Sequence, residues 1–209
     1  MDLGFKDLTV CLFGYYDFKN DMIIIEDEIV KKGKDMKLNL FTEEIIAKEN
    51  LLWINQLSGE QIVPEVRASD VDLIVIQEIN RASYGRLNFI PVTKEPGYKL
   101  PLINKVRVML QNGKIRIDPK CETLIRHLKN ARWKDASSKD SFARSPDDGH
   151  YDAVDALLYL IKSISYSKNP YPKHYGVNQS TMFYREEPKS SVKSNMEIYN
   201  SIFGRNKKR

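Results

Sequence analysis

Apolar positions along this chain follow two rhythms. Leu8 to Phe18 is rich in β-branched and aromatic residues and predicts a strand, Asp17 to Asp21 is polar and turn-like, and Met22 to Val30, centred on Ile23, Ile24 and Ile25, predicts a second strand. The two together predict a hairpin. Leu40 to Leu57 then takes a helical period, with Ile45, Ile46, Ala47, Leu51 and Ile54 as its inner face and Thr42, followed by Glu43 and Glu44, as its start. A short strand is expected over Ile62 to Ala68, interrupted by Pro64, and a helix over Leu73 to Arg81, although Ile74-Val75-Ile76 also suits a strand. Leu87 to Pro91 predicts a strand, Leu100 to Gln111 a helix, Lys114 to Ile117 a strand and Cys121 to Asn130 a helix. Asp135 to Gly149 is a polar loop, and a closing helix runs from about His150 to Ser163. Early strands followed by β/α alternation predict an α/β fold, a mixed sheet with helices on its faces.

From about Tyr166 the character changes. Asn169-Pro170-Tyr171-Pro172 breaks regular structure, and Ser, Asn and basic residues dominate as far as Gly204-Arg205-Asn206-Lys207-Lys208-Arg209. The expected organisation is a domain over 1–165 and a basic C-terminal arm or tail over 166–209, in which Ile198, Tyr199, Ile202 and Phe203 have the spacing of a short docking helix.

The closing helix carries the clearest chemical signal. Ala153, Ala156, Leu157, Leu160, Ile161 and Ile164 recur on one face, and Asp152 and Asp155, three residues apart, lie together on a neighbouring stripe. Carboxylates beside a buried face are unfavourable unless paired or bound to a cation, and a divalent metal is one way to meet that need.

Composition narrows the classes. At 209 residues and 42% hydrophobic, the chain can bury a core and still carry a tail. No apolar run approaches the roughly 18–20 residues of a membrane span. The charged N-terminus lacks the apolar core of a signal peptide. Cys11 and Cys121, far apart, fit buried free thiols in a reducing compartment rather than a disulfide framework or a zinc site. A net charge of +5 permits a polyanionic partner without demanding one.

Three acids stand where an α/β sheet places chemistry: Asp2 ahead of the first clear strand, Asp70 directly after a strand, and Asp152 at the start of the last helix. Two-metal phosphodiester hydrolysis needs scattered carboxylates of this kind, and Mg²⁺ prefers them to cysteine or histidine. Each also has a plainer reading. An Asp after a strand serves as a turn or cap residue, an acid in the first helical turn complements the helix dipole, His150 could cap the helix or face solvent, and Asp2 could lie in a frayed end.

Several stretches together resemble the C-terminal nuclease domain of tailed-bacteriophage terminase large subunits. Asp2-Leu3-Gly4-Phe5-Lys6-Asp7-Leu8-Thr9 is similar to the family's opening Asp-x-Gly-x-x-Asp-x-Thr signature, and Arg67-Ala68-Ser69-Asp70 to its strand-end aspartate segment. Asn104-Lys105-Val106-Arg107, Gly113-Lys114-Ile115-Arg116-Ile117, Cys121 to Leu128 and Ala131-Arg132-Trp133 continue the similarity. Gly149-His150-Tyr151-Asp152-Ala153-Val154-Asp155-Ala156-Leu157 is similar to the closing Gly-His-x-Asp-x-x-Asp-Ala-Leu motif. The resemblance spans roughly 1–172 and rests on the order and spacing of these motifs.

It implies an RNase H-like fold, with a mixed central β-sheet flanked by helices. It also implies an endonuclease that cuts concatemeric double-stranded viral DNA during genome packaging with one or two Mg²⁺ or Mn²⁺ ions. The catalytic, metal-holding acids would be Asp2, Asp70 and Asp152, with Asp7, His150 and Asp155 supporting them; Asp72 lies close enough to Asp70 to compete for its role. DNA-backbone contacts would come from Lys6, Arg67, Arg81, Arg86, Lys105, Arg132, Lys134, Lys139 and Arg144, any of which could equally solvate the surface. The loop 135–149 would either gate the DNA or simply connect elements. Implied partners are double-stranded DNA, a terminase ATPase domain, a portal and a small terminase subunit, in a host cytoplasm and without a membrane.

Two departures stand out. No Gly-x-x-x-x-Gly-Lys-Ser/Thr phosphate loop is present, so the ATPase motor is expected elsewhere, with this chain an excised or separately encoded nuclease. The chain also begins almost on Asp2, which is therefore expected to be weakly held. Alternative readings are another RNase H-like nuclease, such as a Holliday-junction resolvase or transposase core, or a non-catalytic packaging module with a decayed site.

Overall fold

The structure, a computed structural model, describes residues 1–4, 7–32, 36–55, 57–135, 141–145 and 149–166. All lie in the first of the two units into which the chain divides, Met1–Lys168 and Asn169–Arg209. Apart from Tyr166, the expected arm 166–209 falls outside the described residues, as do Lys6, Lys139 and much of the loop 135–149.

The sheet begins with a strand too short for any period to reveal, β1 (Asp2–Leu3), antiparallel to β2 (Leu8–Asp17). β2 forms the predicted hairpin with β3 (Met22–Lys32). A register shift at Phe13/Gly14 changes the face that β3 presents. Ile23 and Ile25 pack on one side of the sheet and Ile29 on the other.

Helix α1 (Leu38–Leu52) starts earlier than expected, and Thr42 lies inside it, with its hydroxyl donating to the Leu38 carbonyl. Its buried stripe is Phe41, Thr42, Ile45 and Glu49, whereas Ala47, Leu51 and Ile54 are exposed. The expected inner face is corrected because Glu49 is neutralised by a distant arginine and so can be buried. The strand expected over Ile62 to Ala68 contracts to β4 (Ala68–Ser69), and Ile62 and Val63 face solvent. After α2 (Leu73–Ala82), β5 (Ile90–Pro91) runs parallel to β4. Then come α3 (Lys99–Gln111), β6 (Ile115–Ile117) parallel to β3, α4 (Glu122–Asn130) and α5 (Asp152–Ser163).

The strands β1-β2-β3-β6 form one sheet and β4-β5 a second. The Met1 nitrogen donates to the Ala68 carbonyl across 2.7 Å and joins β1 to β4. This pairing, with Asp2 opposite Val10, secures both sides of the segment that carries Asp2. One core lies against α1 and α2; the other lies against α3, α4 and α5. In α5, Ala153, Val154, Ala156, Leu157, Leu158, Tyr159 and Ile161 are all buried, a wider band than the single predicted face. Each large side chain here contributes roughly 1.5–3 kcal/mol by burial, which fixes the helix that carries the acids. Among the described residues, no helix is long and apolar enough to cross a membrane.

Candidate active site

Asp2 on β1 and Asp70, the residue after β4, stand at neighbouring strand ends because Met1 and Ala68 are hydrogen-bonded. Their carboxyls are close enough to share a hydrogen bond. α5 crosses beside them with Asp152, Asp155 and Tyr159.

Burial, then the charges of Asp70, Asp155 and Asp152, push the Asp2 carboxyl up to about 8. Burial opposes ionisation of Asp70 too, but the Lys94 ammonium and the Tyr159 hydroxyl outweigh it and hold this carboxyl below its ordinary value. Tyr159 donates to Asp70 Oδ2 across 2.9 Å, and Lys94 Nζ donates to the same oxygen. The Asp2–Asp70 pair therefore holds an extra proton at neutral pH and leans on one ammonium.

Asp155 is raised by burial despite Lys99 and Lys94 nearby. Lys99 Nζ lies 2.7 Å from its Oδ1 and 2.9 Å from its Oδ2. The ammonium thus faces both oxygens of this carboxylate. Asp152 accepts the Leu8 N–H at 3.0 Å through Oδ2, and burial pushes it up to about 6. It braces α5 against the start of β2 rather than capping its own helix.

Asp7 pairs with Arg144, whose Nη2 lies 2.6 Å from Oδ2, and both charges act on Asp152. Gly149 has φ +64°, and a Cβ placed there would lie 3.5 Å from Asp7 Oδ1. His150 is half-buried just before α5, and Asp72 is an exposed residue at the N-cap of α2. Among the basic candidates, Arg144 borders the acids. Arg67 is engaged in a two-pronged pair with Glu49, Arg81 pairs with Glu78, and Lys105 lies over the Tyr166 ring. Arg86, Arg132 and Lys134 are exposed.

Sequence reasoning missed Lys94, Lys99 and Tyr159. Tyr159 follows Asp155 by one helical turn, and that spacing could have shown it. Lys94 comes from the irregular segment between β5 and α3, where no periodicity points inward. Cys11 and Cys121 are free and buried, and burial pushes their thiols up to about 11 and about 12, so both stay protonated and apart from the acids' chemistry.

Among the described residues, no three potential ligand side chains are gathered at metal-coordinating spacing. The donor set nevertheless fits a hard cation. It is all carboxylate, and burial together with the neighbouring acids keeps a proton on Asp2 that a bound cation would displace.

No family model matches the chain, and no curated protein matches it. Solved structures do. The large terminase of a thermophilic bacteriophage aligns with a TM-score of 0.56 at 16% identity, over 78% of this chain and 37% of that one. The large terminase nuclease of the thermophilic phage G20c aligns with a TM-score of 0.51 at 18% identity, over 78% of this chain and 80% of that one. The fold is that of a terminase large-subunit nuclease. The RNase H-like sheet flanked by helices that the motifs implied is thus found, at identities where the likeness is one of fold. The chain spans 37% of the length of the first of these two proteins.

Proposed function

We propose that this chain is a divalent-metal-dependent endonuclease that cuts double-stranded DNA, concatemeric viral DNA in particular, during genome packaging. The observation that carries the reading is the pairing of Asp2 with Asp70 at the ends of β1 and β4, with the acids of α5, Asp152 and Asp155, near enough for their charges to act on Asp2. The terminase nuclease fold supports the substrate class.

In this reading Asp2, Asp70 and Asp152 hold one or two Mg²⁺ or Mn²⁺ ions. Asp152 gives only Oδ2 to the Leu8 N–H, whereas both oxygens of Asp155 face the Lys99 ammonium, so Asp155 supports the site from beside it. When bound, the metal supplies water activation and charge neutralisation at the scissile phosphate. Tyr159 orients Asp70, and Asp7 with Arg144 forms the rim on the Asp152 side. Exposed Arg86, Arg132 and Lys134 are candidates for backbone contacts, with little sequence preference. The ATPase domain, portal and small subunit are proposed partners, and the host cytoplasm the setting.

The test is incubation of supercoiled plasmid with Mn²⁺ or Mg²⁺, using wild type, Asp70→Ala, Asp155→Ala and Asp152→Ala. Loss of cleavage in Asp70→Ala and Asp152→Ala, with a smaller loss in Asp155→Ala, is expected. Equal cleavage by all four proteins overturns the assignment. A preference for branched DNA points to a resolvase. The lysine pairs on Asp70 and Asp155 are what a packaging module with a decayed site would also contain. Absence of cleavage together with retained binding to an ATPase domain or portal establishes that second reading.

A further inference from the structure

The segment between β5 and α3 is fastened over the acids by lysines. Lys94 donates to Asp70 and lies 5.3 Å from the centre of the Tyr159 ring. Lys162 of α5 donates back to the Thr93 carbonyl and lies over the Tyr98 ring at 5.3 Å. Lys99, opening α3, pairs with Asp155 and lies 4.2 Å from the centre of the Phe142 ring. The segment is thus held at both ends, with an ammonium against each of two acids.

Lys94 and Lys99 differ in one respect. The side chain of Lys99 is 12% exposed and that of Lys94 is 43% exposed, so the Lys94 ammonium can swing to water and Lys99 cannot without repacking α3. The positive charge beside Asp70 is therefore exchangeable. Two cations cannot share one carboxylate edge without repelling each other.

We propose that Lys94 is a tethered competitor for the metal: it occupies the cation position of Asp70 in the resting protein, and a divalent ion binds only as Lys94 leaves, freeing the segment Thr93–Tyr98. This rests on the metal-binding reading above. The consequence is a site that stays closed until metal arrives, with the release of Lys94 loosening the wall that faces α5.

The test is Mn²⁺ affinity measured by electron paramagnetic resonance on the full chain, together with hydrogen exchange of 93–98. Lys94→Gln is expected to bind Mn²⁺ about ten-fold more tightly than wild type, a change of about 1.4 kcal/mol. Lys94→Arg, which keeps the charge, is expected to bind like wild type. Exchange at 93–98 in wild type is expected to rise on Mn²⁺ addition. Wild-type binding with equal or weaker affinity in Lys94→Gln overturns the competitor while leaving the metal site standing. Failure of wild type and Lys94→Gln alike to bind Mn²⁺ overturns the metal site itself, and the competitor with it.

Discussion

The Tyr159 hydroxyl donates to Asp70 Oδ2 across 2.9 Å, so the middle of α5 is fastened directly to the end of β4. Tyr159 is buried, and burial together with the charges of Asp2, Asp155 and Asp70 raises its pKa, so its hydroxyl keeps the proton it donates to Asp70. Tyr159→Phe keeps the ring and removes the bond. A hydrogen bond to a charged acceptor contributes about 1.5–3 kcal/mol. Tyr159→Phe is therefore expected to lower stability by about 1–2 kcal/mol at pH 7, read from the urea midpoint. The loss should shrink as the pH falls through the lowered Asp70 pKa and that carboxyl takes up a proton. A midpoint that does not move at pH 7 would remove Tyr159 from the site's framework.

Asp2 makes the resting protein sensitive to alkali. Its carboxyl is raised from an ordinary value of 3.8 to about 8, by burial first and then by Asp70, Asp155 and Asp152. Between these values the folded chain keeps a proton that the unfolded chain has lost. The stabilisation is full below about 4 and falls steadily until the pH passes about 8. Asp152, raised to about 6, adds to the slope at the acid end of this range. The metal-free protein is thus expected to lose stability from pH 5 to pH 8. Asp2→Asn should flatten the loss and be more stable at pH 8 by about 1–3 kcal/mol, in the manner of functional carboxylates held against their preference. Titration calorimetry with Mn²⁺ at pH 7 should record proton release, since the metal takes the place of the proton on the acid pair. Binding without proton release would contradict this account.

The hairpin and the helices were legible because they bury long periodic runs, which is where periodicity speaks most clearly. β1 was not, since two residues show no period and its pairing to β4 is supplied by residues far along the chain. The inner face of α1 was misread because burial of Glu49 depends on Arg67, 18 residues away. The same holds at the site. The acids could be seen in order along the chain, and their motif spacing suggested that they meet. Which cation each would rest on could not be seen, because Lys94 arrives on a segment without pattern and Lys99 opens α3 one residue ahead of its expected start. The contrast between Asp152, engaged by Leu8, and Asp155, engaged by Lys99, depends on the same kind of distant contact.

Arg67 provides a test of that buried pair. Its Nε and Nη2 donate to the two oxygens of Glu49 at 2.7 Å each, with side-chain exposures of 11% and 5%. Removing one partner of a buried pair leaves a charge in the core, at a cost of about 3–5 kcal/mol. Arg67→Met is expected to show that loss in thermal unfolding, and Arg67→Met with Glu49→Leu to recover most of it. If Arg67 also contacts DNA, the double variant, though stable, will bind duplex more weakly than wild type with a shallower salt dependence. Unchanged duplex affinity assigns Arg67 to the core alone.

Gly4 joins the two ends of the opening motif. A Cβ placed there would lie 2.5 Å from the Leu8 carbonyl oxygen and 3.3 Å from the Asp7 backbone, contacts that only a backbone shift relieves. The same Leu8 gives its N–H to Asp152, and Asp7 holds Arg144, so a shift there moves two groups at the rim of the site. Gly4→Ala is therefore expected to act twice. It should destabilise the chain by about 1–3 kcal/mol, as overpacking against fixed backbone does. It should also let the Asp152 pKa rise, because the Leu8 N–H opposes the effect of burial on that carboxyl. Carboxyl titration followed by NMR on wild type and Gly4→Ala separates the two effects. A destabilised variant whose Asp152 titrates as in wild type would show that the strain at Gly4 does not reach the site. A rise in the Asp152 midpoint would show that the opening glycine is there to set the distance from β2 to α5.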